Sequence, residues 1–267
     1  QIPASLNYMA TGNPYWTVDV GSFFTRSNGR SWFYKGEFPQ GVKDDNYKEY
    51  YTRMFQWGTF LPMLRSHGSD TPREIWQFGE PGTPYYDAIL KMINLRYTLI
   101  PYIYSMAAMQ TFGSYSMARP LAFDFAQDEN VLDLKDEYMF GDAFLVAPVT
   151  HAQYTPEVVG HIDAMEGWNR DANSNAQSQK TVDFTATRDM KIYLPADAQW
   201  YDWYSGKQYE GGQSVTYATR FDEIPLMVRA GSIVPMGPDV QYTSEKAWDN
   251  LTLRVYPGAD ASFTTIP

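Results

Sequence analysis

A carboxylate, a guanidinium and an imidazole follow two apolar segments of the chain. Asp19 comes at the end of the run at residues 15–18, and Arg65 and His67 follow the run at residues 61–64. In parallel α/β architectures, functional groups cluster at the carboxyl ends of neighbouring strands. We therefore expect these three side chains to meet on one rim of the fold.

This combination of groups suits a ligand with many hydroxyl groups. A carboxylate accepts hydrogen bonds from hydroxyls, whereas Arg and His donate to hydroxyl and ring oxygens. The aromatic ring of Trp16 or Phe23 would supply an apolar floor for a sugar. The alternative is that Asp19 and Arg65 form a buried ion pair while His67 is a satisfied loop residue, and the residues alone leave both interpretations open.

Other chemistries have weaker support in the sequence. One His with scattered acids lacks the ligand spacing of a metal site, and no glycine-rich phosphate loop is present. Ser66 beside His67 does not indicate a triad, because such a pair needs reach in space. Retaining glycoside hydrolysis needs two carboxyl groups about 5–5.5 Å apart. Asp19 has a suitable position, and Asp70 and Glu74 are outside candidates, so the sequence predicts a partial site.

Two patterns of secondary structure succeed one another along the chain. In the first half, residues 15–20 and 61–65 are predicted as strands and residues 44–57 and 83–110 as helices. Pro101 is expected to kink the second helix. This alternation is that of an α/β barrel or a parallel sheet. Two strands cannot close a barrel, so we expect further segments to pack on this half.

Short strands dominate from about residue 137 onward. An apolar run at residues 139–149 is broken by Gly141-Asp142. The further predicted strands cover residues 190–194, 199–204, 214–217, 224–229 and 251–256. Strands at this spacing, separated by turns, are typical of a β-sandwich. The polar residues 153–179 read as a surface insertion.

The composition limits the classes of function. Hydrophobic residues make up 44% of the chain and charged residues 19%, which indicates a globular protein. The aromatic share of 16% suits either sugar binding or sandwich packing. A net charge of −10 without a basic run argues against binding of nucleic acid. The sequence has no apolar run of about 18 residues, so no membrane span is predicted.

The chain contains no cysteine, which excludes disulfides and thiolate metal sites. This absence fits both an exported and a cytosolic protein, so the compartment stays open, with a slight preference for a periplasmic or extracellular location. Gln1 is not a start methionine, and we expect the chain to be part of a longer protein.

Several motifs resemble glycoside hydrolase family 31, the α-glucosidase and α-xylosidase family. They occur in family order and span nearly the whole chain: PYWTVDVGSFF (14–24), RMFQWGTFLP (53–62), RSHG (65–68), LIPYIY (99–104), MFGD (139–142), LVAPV (145–149), IYLP (192–195), WYD (200–202) and PLMVRAGSIVP (225–235). The resemblance implies an α/β part followed by an all-β part. These are the C-terminal portion of a (β/α)8 TIM barrel, with strands 7 and 8, and an antiparallel β-sandwich.

The resemblance also implies boundaries. It gives a barrel part at residues 1–137, a proximal β-sandwich at 138–240 with an insertion at about 153–179, and the start of a distal β-domain or a linker at 241–267.

Residue roles follow from the same resemblance. Asp19 and Phe23 would belong to the loop after barrel strand 7, and His67 to the end of strand 8. In the family, the matching Asp, Phe and His line the −1 sugar subsite. Arg65 would lie close to them, and Trp16 just below the pocket.

The loop at residues 25–43 resembles the longer insertion of xylosidase-like members. Trp32 in this loop would help to shape the leaving-group side of a binding pocket, with packing of an exposed loop as the equal alternative. Arg73, Glu74 and Trp76 match a further family stretch, and we interpret them mainly as structural.

The family mechanism is double displacement through a covalent glycosyl-enzyme, with retention of the α configuration. Its nucleophile and acid/base are Asp residues after strands 4 and 6, which we expect upstream of Gln1, so no catalytic residue is assigned in this chain. The resemblance implies no cofactor and no metal. The expected partners are an oligosaccharide substrate and the upstream portion of the same enzyme, with neither nucleic acid nor membrane.

Two other classes of function stay open. The chain would also suit a non-catalytic carbohydrate-binding protein, or a structural fragment whose exposed barrel face docks on another chain. Within the glycosidase interpretation, xylose and glucose remain open as the terminal sugar, with a lean towards xyloside.

Overall fold

The computed structural model describes residues 1–25, 38, 40–156 and 182–265. Helices dominate its first half. The α-helices are α1 (Ile2–Ala10), α2 (Asp45–Thr59), α3 (Pro84–Thr98), α4 (Ile100–Phe112) and α5 (Leu121–Asp124). Short 3-10 helices cover Gly41–Lys43, Ile75–Gln77 and Glu129–Val131.

Strands form the second half of the described chain. They are β1 (Ala118–Pro120), β2 (Tyr138–Phe140), β3 (Phe144–Val146), β4 (Arg188–Leu194), β5 (Gln199–Asp202), β6 (Gln208–Glu210), β7 (Gln213–Thr219), β8 (Leu226–Arg229), β9 (Ser232–Met236) and β10 (Thr252–Tyr256). Six of them pair in the order β1-β2-β3-β8-β5-β6, and β4 pairs with β7 and β9 with β10. All these pairings are antiparallel.

The central strands of the six-stranded sheet are buried on both faces. Along β2, Tyr138 and Phe140 join the cluster that contains the helices. Met139 between them joins a second cluster with Ile192 of β4 and Tyr217 of β7. This alternation is what a two-residue repeat produces in a strand. The helices therefore cover one face and the β4–β7 pair covers the other, which confirms the predicted change from α/β to antiparallel β structure.

Helix α2 lies where the sequence predicts a helix. Asp44 caps it, since its carboxylate accepts a hydrogen bond from the N–H of Asn46 at 2.9 Å. Such a cap contributes about 1 kcal/mol. The helix is buried on most of its surface, because the first-half loops pack on one side and the β-rich half on another.

The predicted helix at residues 83–110 is divided into α3 and α4 at Leu99. Pro101 lies in the first turn of α4. Its ring lacks an N–H and would clash with the carbonyl four residues earlier in a continuous helix. The first turn of a helix tolerates proline, because its N–H groups have no partner within the helix. The kink expected at Pro101 is thus a full break.

The prediction of regular strands at residues 15–20 and 61–65 is wrong. Within the described residues these segments share a single parallel bridge, between Val20 and Ser66. Hydrogen bonds of 3.3 Å join Met63 N to Trp16 O and Val20 N to Arg65 O. The two segments lie side by side and run in the same direction. These few hydrogen bonds are too far apart along the chain to form a regular β-ladder.

The predicted division of the chain at residue 137 remains a prediction. Strand β1, on its N-terminal side, pairs with β2 on its C-terminal side, with Arg119 opposite Met139. The predicted insertion at about 153–179 falls mostly outside the described residues.

Candidate functional site

Asp19 and Arg65 form an ion pair at the ends of the two parallel segments. The side chain of Arg65 is 53% exposed and that of Asp19 24% exposed, so the pair is not the buried one considered above. An exposed ion pair contributes about 0–1 kcal/mol to stability. Its main consequence is geometric, since it holds a carboxylate and a guanidinium together at the surface.

Phe23 and His67 lie beside each other on the same rim. Their ring centroids are 5.4 Å apart with the planes inclined at 48°. Both side chains are exposed, and the N–H of Ser69 donates to the carbonyl of Phe23 at 3.0 Å. The rim, defined here as Asp19, Phe23, Arg65 and His67, therefore presents an ionic pair and an aromatic pair to solvent.

Trp16 stands apart from the rim. The indole of Trp16 lies 5.1 Å from the ring of Tyr8 on α1 and packs against the core. Because side chains alternate along an extended segment, Trp16 shares the face of Val18, and Asp19 points to the other face. Trp32 lies outside the described residues.

A tight turn directs Phe23 towards the rim. The N–H of Ser22 donates to the carbonyl of Asp19 at 2.9 Å. Gly21 has φ of 83° and Ser22 has φ of 64°. A positive φ at the third residue of a turn favours glycine, and at Ser22 it costs roughly 1–2 kcal/mol. A Cβ atom at Gly21 would lie 2.5 Å from the ring of Tyr51.

Three tyrosines of α2 support both segments of the rim. Tyr47, Tyr50 and Tyr51 are spaced by three and four residues and thus share one helix face. Their hydroxyl groups contact Gly21 O at 3.2 Å, Ser22 Oγ at 2.7 Å and Ser66 Oγ at 2.8 Å. Burial raises the pKa of Tyr51 to about 12, so this hydroxyl stays neutral at ordinary pH. Sequence reasoning missed these residues, although their spacing within α2 was a usable signal.

Two side chains after His67 tie the rim segments together. Both carboxylate oxygens of Asp70 accept from the N–H of Thr25, at 3.0 and 2.9 Å. The guanidinium of Arg73 donates to the carbonyl of Ser22 and to Thr25 Oγ1 at 3.2 Å. Asp70, which the sequence offered as a less favoured candidate for a catalytic acid, thus binds the backbone of Thr25. Arg73 contacts other groups of the protein, in agreement with the structural role expected from the sequence.

The opposite side of α2 binds the β-rich half. Glu49 is buried and accepts from the backbone N–H groups of residues 153–155. Arg53 donates to the carbonyls of Phe221 and Glu223, each at 3.2 Å. Helix α2 is therefore held from the side away from the rim.

Two clefts in the described residues lie away from the rim. One, of about 700 Å³, is the α2 cleft and is lined among others by Glu49, Arg53, Trp57 and His151. The other, of about 790 Å³, lies near Asp142 and Arg229. Neither lining includes a rim residue.

The described ranges hold neither a metal-binding cluster nor a membrane-spanning helix. No group of three or more His, Cys, Asp or Glu side chains there could hold a metal ion. None of the helices in that part of the chain is long and apolar enough to cross a membrane.

The fold and its two halves define the class of protein. Residues 1–106 match the family model described as the glycosyl hydrolases family 31 TIM-barrel domain. Residues 114–183 and 177–234 match that of the glycosyl hydrolase family 31 C-terminal domain. The first half is thus the C-terminal part of a TIM barrel, and the second is the β-rich domain that follows it. The chain belongs to glycoside hydrolase family 31.

Named relatives agree with this assignment. An alpha-xylosidase from Saccharolobus solfataricus is 37% identical over 98% of this chain, which spans 29% of that protein. The GH31 alpha-xylosidase structure from Xanthomonas citri has a TM-score of 0.76 at 36% identity, covering 98% of this chain and 24% of that one. A variant GH31 dextranase from Flavobacterium johnsoniae, complexed with isomaltotriose, has a TM-score of 0.72 at 27% identity, covering 97% and 26%.

Proposed function

We propose that this chain supplies the sugar-binding rim and the β-rich domain of a retaining, exo-acting α-glycosidase. Its substrate is an oligosaccharide with a terminal α-linked xylose or glucose. The observation that carries the proposal is the meeting of an Asp–Arg pair and a Phe–His pair on one rim of a family 31 barrel. These groups supply the acceptors, donors and apolar face that a pyranose ring needs.

Each rim residue has a role in this proposal. Asp19, held by Arg65, accepts hydrogen bonds from sugar hydroxyls, and His67 donates to them or accepts from them. The ring of Phe23 packs against the C–H groups of the sugar. Trp16 supports the extended segment from below. Trp32 is proposed to line the leaving-group side.

The chemical step needs two carboxyl groups, one as nucleophile and one as acid and then base. Asp19 is engaged by Arg65, and one carboxylate cannot fill both roles. The proposal therefore places both catalytic groups in parts of the protein outside this chain. It follows that the isolated chain does not hydrolyse aryl α-xylosides or α-glucosides, and turnover by the rigorously purified chain would contradict this.

The terminal sugar is proposed to be xylose rather than glucose. Support comes from the two α-xylosidases described above, which share 37% and 36% identity with the chain. Glucose is the alternative, since the dextranase structure contains isomaltotriose. The two sugars differ at the 6-hydroxymethyl group, so the groups that surround this position would decide between them.

The test uses the full-length protein that contains this chain. It is assayed with aryl α-xyloside and α-glucoside, and the anomer of the released sugar is followed by proton NMR from the first seconds. We expect the α anomer to appear first, with the xyloside turned over faster. First release of the β anomer would refute retention, whereas sugar binding without turnover would favour a non-catalytic carbohydrate-binding protein.

A further inference from the structure

The guanidinium of Arg73 lies beneath the turn that follows His67. A Cβ atom built on Gly68 would collide with this guanidinium. Gly68 therefore leaves the space that Arg73 fills. This side chain is partly buried, and its position places it between the two segments that form the rim.

Arg73 binds both segments at once. One nitrogen, Nη2, donates to the carbonyl of Ser22 and to Thr25 Oγ1 at 3.2 Å. The other, Nη1, donates to the carbonyl of Thr71 on its own segment. A planar guanidinium holds several acceptors in fixed directions, which the single ammonium of a lysine does not.

The residues that Arg73 binds flank Phe23. Ser22 precedes this ring in the strained turn, with φ of 64°, and Thr25 follows two residues later. A left-handed conformation at a non-glycine residue persists only when its surroundings hold it. Without Arg73, the carbonyl of Ser22 loses a charged donor and the turn loses part of that hold.

We propose that Arg73 is a positioning residue for glycoside hydrolysis. It ties residues 22–25 to residues 68–71, and thereby keeps the ring of Phe23 beside His67. It acts through these residues and does not touch the sugar. This inference rests on the function proposed above.

The test compares three variants of the full-length enzyme. Arg73→Met removes the donors, and Arg73→Lys restores a single charged donor. Arg119→Met is the matched control, because Arg119 also donates to backbone carbonyls, those of Ser116 and Gly141, but beside strands β1 and β2. The readouts are kcat/KM on the aryl α-glycoside, the inhibition constant of the released monosaccharide, and Tm.

We expect Arg73→Met to raise the monosaccharide inhibition constant and lower kcat/KM by about tenfold or more, in keeping with loss of a charged hydrogen bond. Arg73→Lys should recover part of both. Arg119→Met should lower Tm at least as much while leaving the inhibition constant within about twofold. A folded Arg73→Met enzyme with an unchanged inhibition constant would overturn the proposal.

A double-mutant cycle separates positioning from general stability. If Arg73 acts by holding Phe23, the effect of Arg73→Met on the inhibition constant shrinks when Phe23→Ala is already present. Additive effects would overturn the proposal. Monosaccharide binding without turnover in the wild-type enzyme would contradict the glycosidase function alone, because the same binding comparison still tests the role of Arg73.

Discussion

At the scale of single residues, the rim combines weak surface interactions with a strongly constrained backbone. The Asp19–Arg65 pair is too exposed to stabilise the fold by much. The turn at Gly21 and Ser22, in contrast, has two successive positive φ angles. The surroundings of the rim therefore do more to define its geometry than the rim residues themselves.

His67→Ala tests the contribution of the imidazole. One hydrogen bond to a neutral sugar is worth about 1 kcal/mol, which predicts a loss of about fivefold in kcat/KM of the full-length enzyme. His151→Ala is the control, because His151 is exposed and lines the α2 cleft rather than the rim. An equal kcat/KM in the two variants would show that His67 does not bind the substrate.

Gly21→Ala tests the turn. The substitution combines an unfavourable positive φ, at about 1–2 kcal/mol, with overpacking against Tyr51, at about 1–3 kcal/mol. Gly206→Ala is the matched control, since Gly206 has φ of 71° and nothing within 4 Å of the added Cβ. Urea unfolding should show the larger loss for Gly21→Ala, and equal losses would mean that Tyr51 moves aside freely.

Much of the candidate site was predictable at this scale. Asp19 pairs with Arg65, and Phe23 lies beside His67, because two adjacent parallel segments end at the same edge. Their binding role stays a prediction. Arg73 was recognised without its partners, since a hydrogen bond to the carbonyl of Ser22 depends on a turn that the sequence pattern does not specify.

At the scale of elements, α2 is the support of the rim. One of its faces carries the three tyrosines that contact the rim segments, and another carries Glu49 and Arg53. The sequence predicts the helix itself from its cap and length. It does not reveal which neighbours each face meets, since a helix buried on most sides has no simple apolar stripe.

Strand predictions succeeded where apolar runs were long and failed at short elements. Strands β1 and β6 have three residues each, too few for a period to be recognised. Strand β9 contains Pro235, which argues against a central strand, and its partner among the described residues is β10. The extended segments at the rim show the reverse error, because an apolar run forms a strand only where partners complete the ladder.

Glu137, the residue before β2, predicts a pH dependence of stability. Burial raises its pKa from 4.5 to about 8, although the hydrogen bond that the carboxylate accepts from Tyr193 N lowers the pKa in part. The folded state thus keeps a proton that the unfolded state releases above about pH 4.5. Stability therefore falls as pH rises towards 8, by an amount on the order of a few kcal/mol.

Glu137→Gln should remove this loss, because the amide stays neutral at every pH. Urea unfolding at pH 5 and pH 9 is expected to show a smaller decrease for the variant than for the wild type. Glu129→Gln serves as the control, since Glu129 is exposed. A variant with the same pH dependence as the wild type would show that Glu137 ionises freely in the fold.

At the scale of the whole molecule, two clusters of buried side chains share one sheet. The larger joins the helices to one face of the six-stranded sheet, and the smaller joins the other face to β4 and β7. Buried contacts from Arg53 add a polar link between the halves. The rim is therefore supported by a structure whose two halves pack against each other.

The rim contributes no residue to the lining of either of the two clefts described above. The chain spans only 29% of the α-xylosidase that it resembles. A closed sugar pocket is accordingly proposed to require residues outside this chain, as the double-displacement mechanism also does.

The most direct measurement is a crystal structure of the full-length protein with xylose or glucose bound. We predict sugar hydroxyl groups within about 3.2 Å of the Asp19 carboxylate and of a His67 ring nitrogen, with the ring of Phe23 against the sugar. A well-ordered sugar that contacts neither Asp19 nor His67, for instance one bound in the α2 cleft, would contradict the account.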